Sequence, residues 1–145
     1  MQRDYPPDEP FSMERFMAAY GFGKQVQMGF DQAVQRVTQA LAGEGFGVLT
    51  EIDVAATLKK KLDKTIPPYK ILGACNPNYA SKAIEAEPQI GLLLPCNVVV
   101  RQDAAGAVHV EFMDPHAVLE LVRRPEVDAL GTEVRAKLER VMAAL

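Results

Sequence analysis

Apolar residues recur along this chain at two spacings, and each change of spacing marks a change of element. Phe30, Val34, Val37 and Leu41 fall at i, i+4, i+7 and i+11, a single stripe that predicts a helix over Asp31–Ala42. Gly43 and Gly45 follow it, as helix stops in the left-handed conformation do. FGVLTEI (Phe46–Ile52) reads as a strand. Asp53 then offers a carboxylate to the first turn of a second helix, Val54–Leu62. Lys59, Lys60 and Lys61 lie near its C-terminal end, where cations suit the helix dipole and the run reads as a solvated face. A phosphate site there would need further donors, and the sequence shows none. Ile66-Pro67-Pro68 is a stiff connector into the stretch that organises the chain.

That stretch is Tyr69 to Val100. YKILGA (Tyr69–Ala74) predicts a largely buried strand. Asn76-Pro77 opens a helix, because asparagine can accept a bond from a free first-turn N–H and proline at the next position has no N–H to lose. Tyr79, Ala80, Ala83 and Ile84 give that helix one apolar stripe, and Pro88 ends it. Ile90–Leu94 and Asn97–Val100 then read as extended chain, with Pro95 as a bend, bulge or edge. Val98–Gln102, the turn Asp103–Gly106 and Val108–Phe112 predict a hairpin. Asp114-Pro115 repeats the cap-and-proline start of a helix through Val118, Leu119 and Val122. Pro125 opens a last helix carrying Val127, Leu130, Val134, Leu138 and Val141.

Before Phe30 the pattern is weaker. Met1–Pro10, acidic and rich in proline, is expected to be a mobile tail. Phe11–Gly21 predicts a short helix or the beginning of a strand. Gly21-Phe22-Gly23 is expected to break it and to bend into a strand over Lys24–Met28. GFGK lacks the glycine spacing of a phosphate-binding loop. We therefore divide the chain into residues 1–23, an N-terminal tail and variable segment, and residues 24–145, one domain. The element order predicts an α+β fold, with helices on one face of a mostly antiparallel or mixed sheet. The hairpin argues against an all-parallel one.

Composition narrows the function classes. The chain has 145 residues, 48% hydrophobic and 24% charged, which suits a single globular domain. A net charge of −3 with no basic block points away from nucleic acid. No run approaches the ~18 apolar residues of a membrane span. The N-terminus lacks the apolar centre of a signal peptide. Two cysteines are too few for a disulfide scaffold, and two reduced thiols fit a cytoplasmic protein.

Candidate chemistry gathers at the two cysteines, each followed by asparagine: Cys75-Asn76 and Cys96-Asn97. Cys75 precedes a helix N-terminus, a position that favours thiolate. Cys96 follows the Pro95 bend. Both are also explained as small buried apolar side chains. Asn76 has a sufficient role as a cap, whereas Asn97 has no equally plain one. A metal site from Cys75 and Cys96 with His109 or His116 lacks the usual close ligand spacing. His109 alternates on a hairpin strand, and His116 stands in a first turn. Asp53 and Asp114 have sufficient roles as caps. No C-x-x-C, serine nucleophile elbow or cofactor motif occurs.

The segments GFGVLTEIDV, YKILGACNP and GLLLPCNVVV, with the helix opened by Asp114-Pro115, make the chain resemble a bacterial family known as domain of unknown function 302, from about Gln27 onward. The family's ACNP and LPC motifs fall on Ala74-Cys75-Asn76-Pro77 and Leu94-Pro95-Cys96. The resemblance implies a two-layer α+β sandwich like that of the TATA-binding protein, and a homodimer. It implies no reaction and no cofactor. The expected function is a non-enzymatic homodimeric module binding a small ligand or a protein. The alternative is a redox or metal-binding protein using Cys75 and Cys96, and Cys75, Asn76, Cys96 and Asn97 are the candidate site in either case.

Overall fold

A computed structural model describes residues 20–145. The expectations for Met1–Pro10 and for most of Phe11–Gly21 lie outside the described residues. Five strands form one fully antiparallel sheet in the order β1-β5-β4-β3-β2. They are β1 (Gly21–Val26), β2 (Gly47–Asp53), β3 (Tyr69–Cys75), β4 (Cys96–Gln102) and β5 (Val108–Met113). Helices α1 (Phe30–Gly43), α2 (Val54–Leu62), α3 (Pro77–Ala86), α4 (Pro115–Leu119) and α5 (Pro125–Ala143) complete the sandwich. Helices lie on one side of the sheet, as the alternation of buried and exposed positions requires.

Alternation in the central strands sets the core. Val98 and Val100 on β4, and Val108, Val110 and Phe112 on β5, face the helices and are buried. Against them α1 packs Ala33, Val37 and Leu41, and α5 packs Val134, Leu138 and Val141. A second, smaller cluster joins Ala83 of α3, Ile90, Leu119 of α4 and Val127 of α5. Apolar faces closing on each other in this way supply most of a domain's stability.

Two expected elements differ. Ile90–Leu94 is not extended: Pro88–Leu93 is a 3-10 helix, with Ile90 N–H donating to Glu87 O at 3.0 Å. An apolar run this short suits either conformation. Burial of Ile90 against Ala83, Leu119 and Val127 decides for the helix, so β4 begins only at Cys96. The Leu94–Pro95 peptide between them is cis. At the other end, Gly21-Phe22-Gly23 does not bend into a strand at Lys24; it is the first half of β1. Phe22 is buried and stacks on Phe112, 5.4 Å between ring centroids. Gly23 is required by close approach: a Cβ there would stand 2.5 Å from Val110 O and 2.8 Å from Glu111 Cα.

The caps divide. Asp53 accepts from Ala56 N–H at 2.9 Å, and Asp114 accepts from His116 N–H at 2.9 Å and Ala117 N–H at 3.3 Å. Arg135 of α5 also donates to Asp114 at 2.6 Å, tying α4 to α5. Asn76 does not cap α3 with its side chain. Its amide turns instead to the end of α1, where Nδ2 donates to Glu44 O at 3.3 Å. Gly45, at φ +84°, makes the left-handed turn that brings this carbonyl against Asn76.

Candidate functional site

Antiparallel pairing brings the C-terminal end of β3 and the N-terminal end of β4 together, with Ala74 opposite Cys96. Cys75 is one residue further on, so both thiols fall at the same end of the sheet. They line one cavity of about 340 Å³ with nearly all-apolar walls. The cavity occupies the seam between the two hydrophobic clusters. Phe46, Ala74, Cys96 and Val134 belong to the larger cluster, while Ala83, Leu94, Leu119 and Leu130 belong to the smaller. The apolar stripe of α3, Tyr79, Ala80, Ala83 and Ile84, faces this space. Leu49, 70% exposed, and Ile84, 47% exposed, also line it.

Three of the four candidate residues therefore come together. Cys75, Asn76 and Cys96 all contribute to the wall. Asn97 does not: strand alternation turns it outward, opposite in sense to Cys96, and it is exposed. The histidines stand elsewhere. His109 pairs with Arg101, five residues along β4 from Cys96, about 17 Å at the rise of a strand. Its Nε2 lies 2.8 Å from Asp103 Oδ2, and this bond holds the Asp103 carboxyl below its ordinary range. His116 meets Thr132 Oγ1 at 3.2 Å and Glu120 Oε1 at 3.2 Å. Among the described residues no three His, Cys, Asp or Glu side chains converge as a metal site would require.

The two thiols sit in different surroundings. Cys75 is half-buried, and Cys96 is buried. Burial, with a smaller contribution from the nearby Cys75, pushes the Cys96 thiol up to about 11. Tyr79, on the wall beside Asn76, has its hydroxyl raised by desolvation and by the Glu133 carboxylate next to it. Lys82 and Lys137 flank its ring, at 6.0 and 5.8 Å from the centroid. Arg140 grips Glu44 at 3.0 and 3.2 Å and lowers that carboxyl.

Sequence reasoning did not find the walls contributed by Phe46, Leu49, Leu119, Leu130 and Val134. Their only local signal is apolarity, which reads as core. The α3 stripe was visible as a stripe, but nothing local says that it faces a space rather than a packed neighbour.

A two-layer α+β sandwich with helices on one face of an antiparallel sheet is the class this architecture defines. The chain belongs to the family described as "Domain of unknown function DUF302", whose pattern matches residues 22–145. The match takes in Phe22 and Gly23 of β1, which the sequence reading had set outside the domain. The chain is similar to a solved structure, an uncharacterized conserved DUF302 protein from Bacillus stearothermophilus. The two share 25% identity with a TM-score of 0.81, over 86% of this chain and 97% of that one. No curated protein matches the sequence. Among the described residues no helix is long and apolar enough to cross a membrane.

Proposed function

We propose that this domain is a non-enzymatic binding module that holds a small, largely apolar molecule in the cavity lined by Cys75, Asn76 and Cys96. The observation that carries the reading is the cavity itself. At about 340 Å³ it falls within the ~300–1,000 Å³ typical of small-molecule sites, and its walls are apolar with few polar groups. Leu49 and Ile84 leave apolar surface in water that an occupant would cover. Thiol exchange between Cys75 and Cys96 is supported less well. A thiol at about 11 supplies about one thiolate in 10⁴ at neutral pH, so Cys96 is a slow resolving partner.

The test uses N-phenyl-1-naphthylamine, a neutral probe whose fluorescence rises on entering an apolar site. The folded protein is expected to enhance it saturably. Ala80→Phe, which places a ring in the cavity, is expected to weaken binding at least tenfold with the thermal transition retained. Absence of saturable enhancement, or equal binding by a folded Ala80→Phe variant, would remove the reading.

A second feature supports self-association. Ile52, Ile71 and Val99 are cross-strand neighbours in β2, β3 and β4, on the face turned away from the core, and Ile52 is 48% exposed. An apolar row of this kind is self-complementary under a two-fold axis, which suits a homodimer built face to face.

A further inference from the structure

Asn76 stands where two concavities meet. One is the apolar cavity. The other is a polar groove of about 890 Å³ whose wall includes Glu44, Asn78, Lys82, Glu85 and Lys137. Asn76 and Tyr79 belong to both walls. Among the described residues Asn76 and Asp114 are the buried polar side chains, Asn76 at 8% exposure. Asp114 is fully engaged, with two backbone N–H groups and Arg135 bonded to it. Asn76 is not. Its Nδ2 makes one long bond to Glu44 O, its side chain caps nothing, and no described residue bonds its Oδ1.

A mostly buried amide whose oxygen has no protein partner has only water or a ligand left to bond. Asp128 Oδ1 is the fully sealed orphan among the described residues; Asn76 Oδ1 is not sealed, and Asn76 lines both spaces. Chemistry fixes which atom is free. Turning the amide over would aim Oδ1 at the Glu44 carbonyl, acceptor against acceptor, so Nδ2 stays on Glu44 and Oδ1 is the atom left without a protein partner. A free acceptor on the rim of an apolar space is complemented by a donor.

We propose that Asn76 is the specificity-determining residue of this site and selects ligands that carry a hydrogen-bond donor, a hydroxyl or N–H, on an apolar body. The inference rests on the binding reading above and names the class of molecule that the site takes. The body fills the cavity between α3 and the sheet end. The donor meets Asn76 Oδ1, and any further polar atoms lie toward the charged groove, where they stay hydrated. A ligand without the donor displaces water from this oxygen without replacing its bond and binds more weakly.

The experiment compares 4-propylphenol, propylbenzene and 4-propylanisole by isothermal titration. The phenol carries a donor; the other two share its body, and the anisole keeps the oxygen without the proton. Wild type is expected to bind the phenol about tenfold more tightly than either, the effect of one hydrogen bond to a buried partner. Asn76→Leu is expected to retain propylbenzene binding and lose the preference. Anisole binding as tight as phenol, or a preference that survives in Asn76→Leu, overturns the role of Asn76. Equal binding of phenol and propylbenzene by wild type overturns it too, and leaves the binding module standing. Failure of all three to bind overturns the module and this inference together. Anisole binding as tight as phenol overturns the role of Asn76 in wild type alone, and Asn76→Ala is read in place of Asn76→Leu should that variant not fold.

Discussion

Cys75 and Cys96 line the same cavity, yet their environments give them different chemistry. Cys75 ends β3 half-buried, so alkylation of the native protein at neutral pH is expected there, with Cys96 protected. The raised Cys96 thiol also links folding to pH. Its pKa is higher folded than unfolded, so its contribution to stability is complete below the ordinary thiol value and is lost as pH rises toward the folded value. Stability should fall by about 1.4 kcal/mol per pH unit across the window from 9.0 to about 11. Urea midpoints from pH 8 to 10.5 are expected to drop more steeply for wild type than for Cys96→Val. Parallel curves would mean that Cys96 is not held protonated by the fold. The residue types at this site were legible in the sequence, since Cys75, Asn76 and Cys96 were all singled out. Their company was not. Asn97, with no plain structural role, was the more open candidate of the two asparagines, and strand alternation sends it to the opposite face.

At the scale of elements, β1 shows how a strand can hide behind glycines. Gly21 and Gly23 weaken the strand signal, yet antiparallel pairing with β5 places Gly23 where only a hydrogen fits. Gly47 of β2 is the contrast, because nothing lies within 4 Å of a Cβ built there. Gly23→Ala is expected to destabilise by about 2 kcal/mol through overpacking against backbone. Gly47→Ala should be neutral or stabilising by a few tenths, since it only restricts the unfolded chain, by about 0.4–1 kcal/mol at most. Chemical denaturation of the two variants side by side measures this, and equal effects would contradict the packing argument. The helices were more legible: α1 and α5 follow their stripes, α2 opens at its Asp53 cap, and Asp114 caps α4 as its position suggests. Pro88–Leu93 was not legible, because an apolar run of five residues fits a sheet or a helical turn until its neighbours are known.

At the scale of the molecule, two clusters meet without closing, and the space between them is the candidate site. The opposite face of the sheet carries the row Ile52, Ile71 and Val99. If that row is the dimer surface, Val99→Lys brings two charges together across the two-fold axis. Sedimentation velocity of wild type is expected to give twice the mass of the chain, and the variant to give the monomer. A wild-type monomer at tens of micromolar would set the face-to-face dimer aside. The ligand cavity lies at one end of the sheet, so probe binding should survive in the Val99→Lys variant, which separates the two properties.

The sequence by itself determined the element types over most of the described chain, the antiparallel hairpin, two of the three expected caps and the family. These follow from spacing, turn chemistry and short-range hydrogen bonding, which depend on neighbours in the chain. Tertiary structure alone decided that Ile90 leaves the sheet, that Asn76 turns from its own helix to the Glu44 carbonyl, and that the α3 stripe looks into a cavity. Each of those outcomes depends on which apolar surfaces meet and how completely they fill the space between them. Packing of that kind is settled largely by residues distant in the chain, as Glu44 and Asn76 are, and no local pattern carries it.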